Sequence, residues 1–317
     1  MTPPPGLSPA ESAALTRRVT LMSVTTAALL VGIKAAAWLV SGSVALLASM
    51  ADSALDLLAS TITFFAVRYA AEPPDAEHRF GHGKAEAFSS LVQAGLVFAS
   101  AALIGQEAIR HLAAPHPLAR EGWAVAVMAV STVLTGLLIY AQTQVLKRTA
   151  SVAVSGDRAH YATDLASNLI ALVGIAASAW LGLYNVDALA ALAVTGLLLW
   201  GAVSVFREAA NQLMDHELPE EARARIVALM TQDPRLTDVH QLRTRSSGPY
   251  VHMQMHVDLD PDLTLEDAHV VIVAAEKRLL EQFPHADVII HADPRGRAEP
   301  HGGAFAEAHA TGERIGV

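Results

Sequence analysis

Residues Leu46–Ser60, LLASMADSALDLLAS, set two aspartates, Asp52 and Asp56, inside an otherwise apolar run. A spacing of four puts both carboxylates on one face of a helix, one turn apart. A second run, Gly156–Gly174, GDRAHYATDLASNLIALVG, repeats the arrangement with His160 and Asp164. Both lie in a series of apolar segments at about 20–40, 44–70, 85–111, 122–146, 158–182 and 186–206. Each segment reaches the roughly 20 residues that a bilayer-spanning helix needs. An aspartate at the centre of such a helix costs about 2.5–3.5 kcal/mol, so three would total roughly 8–10 kcal/mol if nothing compensated them. A divalent cation held by three carboxylates and one imidazole would compensate them. Such a ligand set also suits zinc, which favours four-coordinate sites with nitrogen and oxygen donors. The competing reading is a set of buried hydrogen-bonded pairs, or a water-filled cavity, with no metal. Two matched pairs on two helices weigh against it, because intramembrane ionisable residues are functional by default.

Composition agrees with a membrane protein that carries a soluble appendage. Of 317 residues, 52% are hydrophobic and only 17% charged, against roughly 25% charged in an average soluble protein. The net charge of −9 is spread along the chain with no basic patch, which argues against nucleic-acid binding. There is no cysteine, so disulfides, thiolate metal sites and cysteine nucleophiles are excluded. Any metal must be held by His, Asp or Glu. The Pro-rich start, residues 1–16, reads as a polar tail without the apolar core of a signal peptide.

Orientation follows from the basic flanks. One side would hold Arg17, Arg18, Arg68, Arg79, Lys84, Lys147, Arg148, Arg158 and Arg207, and the other essentially Arg110 and Arg120. The rich side is cytoplasmic, so both termini are expected there. The short links near Ser41–Ser43 and Gly182–Asp187 imply antiparallel neighbours.

After Arg207 the pattern changes. LPEEARARIVALMTQ reads as an amphipathic helix with two glutamates in its first turn. DVHQLRTRSSGPYVHMQMHVDLD reads as two strands joined at SSGP. In the second strand Met253, Met255, Val257 and Leu259 alternate with His252, Gln254, His256 and Asp258, giving one apolar and one polar face. TLEDAHVVIVAAEKRLLEQF is a second helix and ADVIIHAD a third strand. The expected fold is therefore α-helical and membrane-embedded, with six spanning helices over 17–208. A cytoplasmic α+β domain of order α-β-β-α-β, metallochaperone-like, follows over 209–294. Residues 295–317, rich in Gly, Ala and Glu, are expected to be disordered.

The loop His78–Ala87, HRFGHGKAEA, faces the cytoplasm in this scheme. It is not a phosphate cradle, because Gly83-Lys84 is followed by Ala85 and the position five before Gly83 is His78. That removes the case for nucleotide-driven pumping within this chain. Asp75, His78 and His82 form an imidazole-rich group, and Gly81 and Gly83 let the chain turn closely around it. Alone, this could be an ordinary solvated loop. His240, His256, His269, His291 and Asp293 are likewise consistent with surface residues when each is taken singly. His291 and Asp293 share one strand face by the period of two.

Taken together, D-x-x-x-D, DAEHRFGHGKAEA, H-x-x-x-D, HQLRTRSSG, HMQMHVDL, AHVVI and VIIHADP resemble the cation diffusion facilitator family, in particular its bacterial ferrous-iron/zinc efflux branch. The resemblance covers roughly residues 17–294. It implies a homodimer in the bacterial inner (plasma) membrane that exports divalent metal against inward proton flow. It places the transport site on Asp52, Asp56, His160 and Asp164, and a loop site on Asp75, His78 and His82. A cytoplasmic-domain metal site would fall on His240, His256, His269, His291 and Asp293. Lys84 matches a family lysine that forms a salt bridge at the dimer, with Asp215 as the acid. No family role falls on His216, His252 or His285. The long His-rich loop of many animal zinc transporters is absent between the fourth and fifth segments.

One nitrogen and three hard oxygens fit Zn²⁺, Cd²⁺, Fe²⁺, Mn²⁺ or Co²⁺, and the Irving–Williams order favours Zn²⁺ over Fe²⁺ at equal geometry. Family members with His in the second helix are more zinc-restricted, so Asp52 implies tolerance of Cd²⁺. The expected ranking is Zn²⁺ first, then Cd²⁺ and Fe²⁺. A metal-sensing or scaffold membrane protein and an acidic-filter channel are the other classes. An enzyme is disfavoured, since no nucleophile–base constellation appears and H-E-x-x-H is missing.

Overall fold

The computed structural model of the chain describes residues 7–41, 44–113, 122–181 and 184–297. Six long helices come first: α1 (Pro9–Ser41), α2 (Val44–Ala70), α3 (Lys84–Ala113), α4 (Gly122–Leu146), α5 (Val152–Leu181) and α6 (Tyr184–Leu213). Within α1 to α4 the stretches Ala10–Val40, Ser49–Ala70, Lys84–Arg110 and Ala126–Leu146 are long and apolar enough to cross a membrane. Helix α3 packs against α2, α5 and α6, while α1 packs against α2 and α4.

Residue size explains how these helices approach one another. Many of their buried positions are small: Ala27, Ala59, Ala94, Ala101, Ala202 and Ala209 are all at most 1% exposed. Large apolar side chains such as Leu39, Leu137 and Trp200 are exposed on the outside of the helices. Small residues between helices and large ones outside are the pattern of helices packed within lipid.

Two helices start earlier than the apolar runs. α1 begins at Pro9 rather than near residue 20, so the expected polar tail over 1–16 already contains helix. Ser8 Oγ and its backbone N–H donate to Glu11 Oε2 at 2.7 and 2.9 Å, and Glu11 N–H donates back to Ser8 Oγ at 3.3 Å. This is a reciprocal capping box, with proline at the first helical position. α5 starts at Val152, which brings Asp157 inside the helix. The links at Gly42–Ser43 and Gly182–Leu183 and most of the expected disordered tail over 295–317 lie outside the described residues.

The C-terminal part has the expected order: α7 (Glu220–Met230), β1 (Val239–Ser247), β2 (Tyr250–Leu259), α8 (Leu265–Gln282) and β3 (Ala286–Pro294). The sheet order is β1-β2-β3, with β1 antiparallel and β3 parallel to β2. Thr264 caps α8 by accepting from Asp267 N–H at 3.1 Å. The apolar face of β2, Met253, Met255, Val257 and Leu259, is buried with Ile226, Met230, Val271, Ala275 and Leu279 from the two helices. The other sheet face is left for polar chemistry.

Candidate metal centres

The membrane centre comes from α2 and α5. His160 Nε2 lies 3.0 Å from Asp56 Oδ1 and 3.9 Å from Asp164 Oδ2. Ligand-type atoms of Asp56, His160 and Asp164 all fall within 4.8 Å of one another. Asp56 and His160 are buried and Asp164 is half-buried. Asp52 stands apart from this group: it is exposed, and lines the same cavity of about 210 Å³ as Asp56 and Asp164. His160 Nδ1 and Asp164 Oδ2 are buried and make no hydrogen bond among the described residues. An orphaned buried polar atom is costly, so Asp164 Oδ2 offers a lone pair that a cation between it and Asp56 would satisfy, with Nε2 as the His160 ring atom that faces both carboxylates.

A nearby buried acid shows the contrast. Asp157 is 0% exposed, yet Ser60, Gln93 and Gln142 donate to its carboxylate at 3.3, 3.2 and 2.8 Å. Its needs are met by neutral donors, so it is structural, tying α2, α3, α4 and α5 together. The apolar run that predicts the fifth segment starts at residue 158, one position past Asp157.

The loop centre lies between α2 and α3. Asp75 Oδ1 accepts from the backbone N–H groups of His78 at 2.6 Å and Glu77 at 2.8 Å. The bond from His78 is the main reason that the Asp75 carboxyl sits below its ordinary pKa, which keeps it ionised and ready to ligate. His78 Nδ1 and His82 Nε2 each lie 3.3 Å from this carboxylate.

The same loop is clamped to the soluble domain. The Phe80 ring meets His252 edge-on at 5.8 Å, with the Arg245 guanidinium 4.9 Å from its centroid. Lys84 Nζ pairs with Asp215 Oδ1 at 2.9 Å, and Arg245 reaches the same oxygen at 3.2 Å. Desolvation pushes the Asp215 carboxyl up, but Lys84 and Arg245 outweigh it and hold the pKa below its ordinary value. The Lys84–Asp215 bridge therefore forms within one chain, joining the membrane helices to the soluble domain.

Gly81 is the turn residue of the loop, at φ +78°. Gly83 has a different task from the turning role expected for it. It abuts the β1–β2 turn, where an added Cβ would collide with the Ser247 carbonyl. Gly83→Ala should therefore loosen this joint, and protease cleavage near the loop should accelerate several-fold while the soluble domain itself stays folded. Cleavage at the native rate would show that the close approach is dispensable.

In the soluble domain, sheet register assembles the third centre. His240 pairs across from His256, His256 from His291, and Asp258 from Asp293. All lie on the polar face, and the bulge after His240 re-aims that side chain. Asp293 is the hub: its oxygens lie 2.8 Å from His256 Nδ1, 3.2 Å from His291 Nε2 and 3.5 Å from His240 Nε2. His240, His256 and Asp293 fall within 4.8 Å of one another. Asp258, to which sequence reading gave no role, meets His240 at 3.3 Å. His269 is exposed on α8 and is outside this cluster. Of the histidines without a role, His252 pairs with Asp287 at 3.1 Å. His285 Nε2 lies 2.9 Å from the Leu7 carbonyl, and burial lowers its pKa.

Long apolar helices holding ligand-type side chains, above a small α/β domain that holds more, make up the layout of a membrane protein that handles cations. Residues 20–214 match the cation efflux transmembrane domain, and residues 218–295 match the cytoplasmic domain of cation efflux proteins. The chain is 38% identical over 284 residues to the cation-efflux pump FieF of Yersinia enterocolitica serotype O:8 / biotype 1B, covering 90% of this chain and 94% of that protein. It is 39% identical over 280 residues to the pump of the same name from Klebsiella pneumoniae subsp. pneumoniae, covering 88% and 93%. Among solved structures, the metal-bound C-terminal domain of the CzcD transporter from Thermotoga maritima is 26% identical. It aligns over 26% of this chain and 100% of that one, with a TM-score of 0.24. The chain belongs to the cation efflux family, whose members are transmembrane transporters rather than enzymes.

Proposed function

We propose that the protein is a proton-coupled exporter of Zn²⁺, with Cd²⁺ and Fe²⁺ as further substrates and Mn²⁺ a weaker one. It works as a homodimer in the bacterial inner membrane, with both termini cytoplasmic. Helices α1 to α6 span the membrane over 17–208, and 209–294 forms the cytoplasmic metal-binding domain. Asp52, Asp56, His160 and Asp164 bind the transported ion. The observation that carries this reading is the Asp56–His160–Asp164 cluster, where the buried Asp164 Oδ2 makes no hydrogen bond among the described residues.

The coupling follows from ligand chemistry. Each ligand must be deprotonated to hold a cation, so metal and protons compete for one site. Facing the cytoplasm, the empty site captures metal. Facing outward, protons take the ligands and the metal leaves. His160 is the natural carrier, because imidazole titrates near neutrality. Asp75, His78 and His82 form a loop site at the joint between the domains. His240, His256, His291 and Asp293, with His269 brought by a second subunit, hold resident metal in the cytoplasmic domain. Their nitrogen and oxygen donors fit zinc.

Zinc flux into proteoliposomes, with and without an imposed pH gradient, tests the reading. The gradient should accelerate flux. Zinc that binds but does not move under any gradient would make the protein a sensor or scaffold of the same fold.

A further inference from the structure

A lysine shares the cavity with the carboxylates. Lys34, on α1, is 8% exposed. Its ammonium donates to Ser53 Oγ at 2.6 Å and to the Ser49 carbonyl at 3.2 Å, both on α2. Its side chain lines the cavity together with Asp52, Asp56 and Asp164, and its charge is within Coulombic reach of all three. A buried cation inside an apolar helix is itself expensive. Two hydrogen bonds to uncharged acceptors are a weak structural reason to keep it.

Charge counting supplies a stronger one. Three ionised carboxylates and a neutral imidazole give the site a charge of −3. Lys34 brings this deprotonated ligand set to −2, the charge that one divalent cation neutralises. Without the lysine, the loaded site would keep an unbalanced negative charge, and in a low-dielectric cavity that charge holds the metal back. A transporter must release its ion as well as bind it, so overly tight binding lowers turnover.

We propose that Lys34 is the built-in counter-charge of the transport site, matching the cavity to divalent cations and keeping metal release fast. The proposal rests on reading Asp52, Asp56, His160 and Asp164 as that site. Lys34 acts through the field of the cavity without ligating the ion, which makes it a positioning and specificity residue.

The test is zinc transport by the full-length dimer in proteoliposomes, with KM and kcat resolved separately. Lys34→Arg keeps the charge, Lys34→Gln keeps donors without charge, and Lys34→Met keeps neither. Removing the charge should lower KM at least about tenfold and lower kcat by a similar factor, because release becomes limiting. Lys34→Arg should stay within about threefold of native on both, by the same reasoning. A purely structural tie between α1 and α2 predicts the reverse ranking: Lys34→Gln close to native, Lys34→Met impaired, and no fall in KM. That result overturns the proposal, as does a Lys34→Arg variant that behaves like Lys34→Met. If Lys34→Met does not fold, Lys34→Gln against Lys34→Arg still decides. Asp164→Ala measured alongside separates the two failures. Native flux in that variant overturns the site and the proposal with it, whereas a dead Asp164→Ala beside an unaltered Lys34→Gln overturns the proposal alone.

Discussion

Asp164→Ala should reduce zinc flux in proteoliposomes at least about a hundredfold. Loss of an outer partner of a metal ligand already lowers affinity 10- to 100-fold, and here a charged donor of the cluster itself is removed. Asp56 and His160 would remain 3.0 Å apart, satisfying one another but offering too few donors to hold a divalent ion out of water. The same variant should fold at least as well as the native chain. Asp164 Oδ2 is buried without a hydrogen bond, so its removal relieves a desolvation cost rather than breaking a bond. Equal or higher thermal stability of the metal-free variant, combined with lost flux, would mark a residue kept for function at the expense of stability. Asp52 gives a graded comparison. Because it lies outside the close cluster and faces the shared cavity, Asp52→Ala should weaken equilibrium zinc binding less than Asp164→Ala does. Equal losses, read by titration of the purified dimer, would mean that Asp52 closes on the ion as tightly as the others. Native flux in Asp164→Ala would remove the cluster from the transport path.

The residues that could be found by reading the chain are those whose placement depends on local periodicity. The i, i+4 spacing of His160 and Asp164, and the placing of Asp56 in an apolar helix, were enough to suggest one site. In β2, alternation separated buried Met253, Met255 and Val257 from His256, and the structure keeps that division. What sequence could not provide depends on rotation and docking between elements. Asp52 and Asp56 share a helix face, yet only Asp56 reaches His160, because the distance is set by how α2 packs on α5. Asp157 is indistinguishable in sequence from a ligand. Only the arrival of Gln93 from α3 and Gln142 from α4 makes it a satisfied structural group. Gly83 reads as a turn residue, but its neighbour is Ser247, more than 160 residues away. Two further features do have a local signal. Ser8-Pro9-Ala10-Glu11 carries the capping-box spacing that starts α1, and Asp258 alternates in phase with His256 on the polar face of β2.

Zinc should protect the β2 and β3 backbone amides of the full-length protein from hydrogen exchange, and Asp293→Ala should abolish that protection. Without metal, Asp293 already has three imidazoles around it, at 2.8, 3.2 and 3.5 Å. Binding here replaces satisfied contacts, in contrast to the orphaned atoms of the membrane centre, so the gain is set by affinity and metal concentration. At a hundred times the dissociation constant it amounts to about 2.7 kcal/mol, or roughly a hundredfold slowing of exchange through local opening. Asp293 lies within 3.5 Å of His240, His256 and His291 together, so its loss removes the anionic donor that the three imidazoles share. His291→Ala should have a smaller effect, because His291 lies outside the close group and its side chain is 54% exposed. Exchange in α2 and α5, read in the same experiment, reports the membrane centre separately and should still respond to zinc in Asp293→Ala. If β2 and β3 remain protected by zinc in that variant, the hub assignment is wrong and the metal is held by other donors. If zinc protects neither strand in the native protein, the His240–His256–Asp293 group is a hydrogen-bonded cluster on the sheet face and the domain holds no metal there.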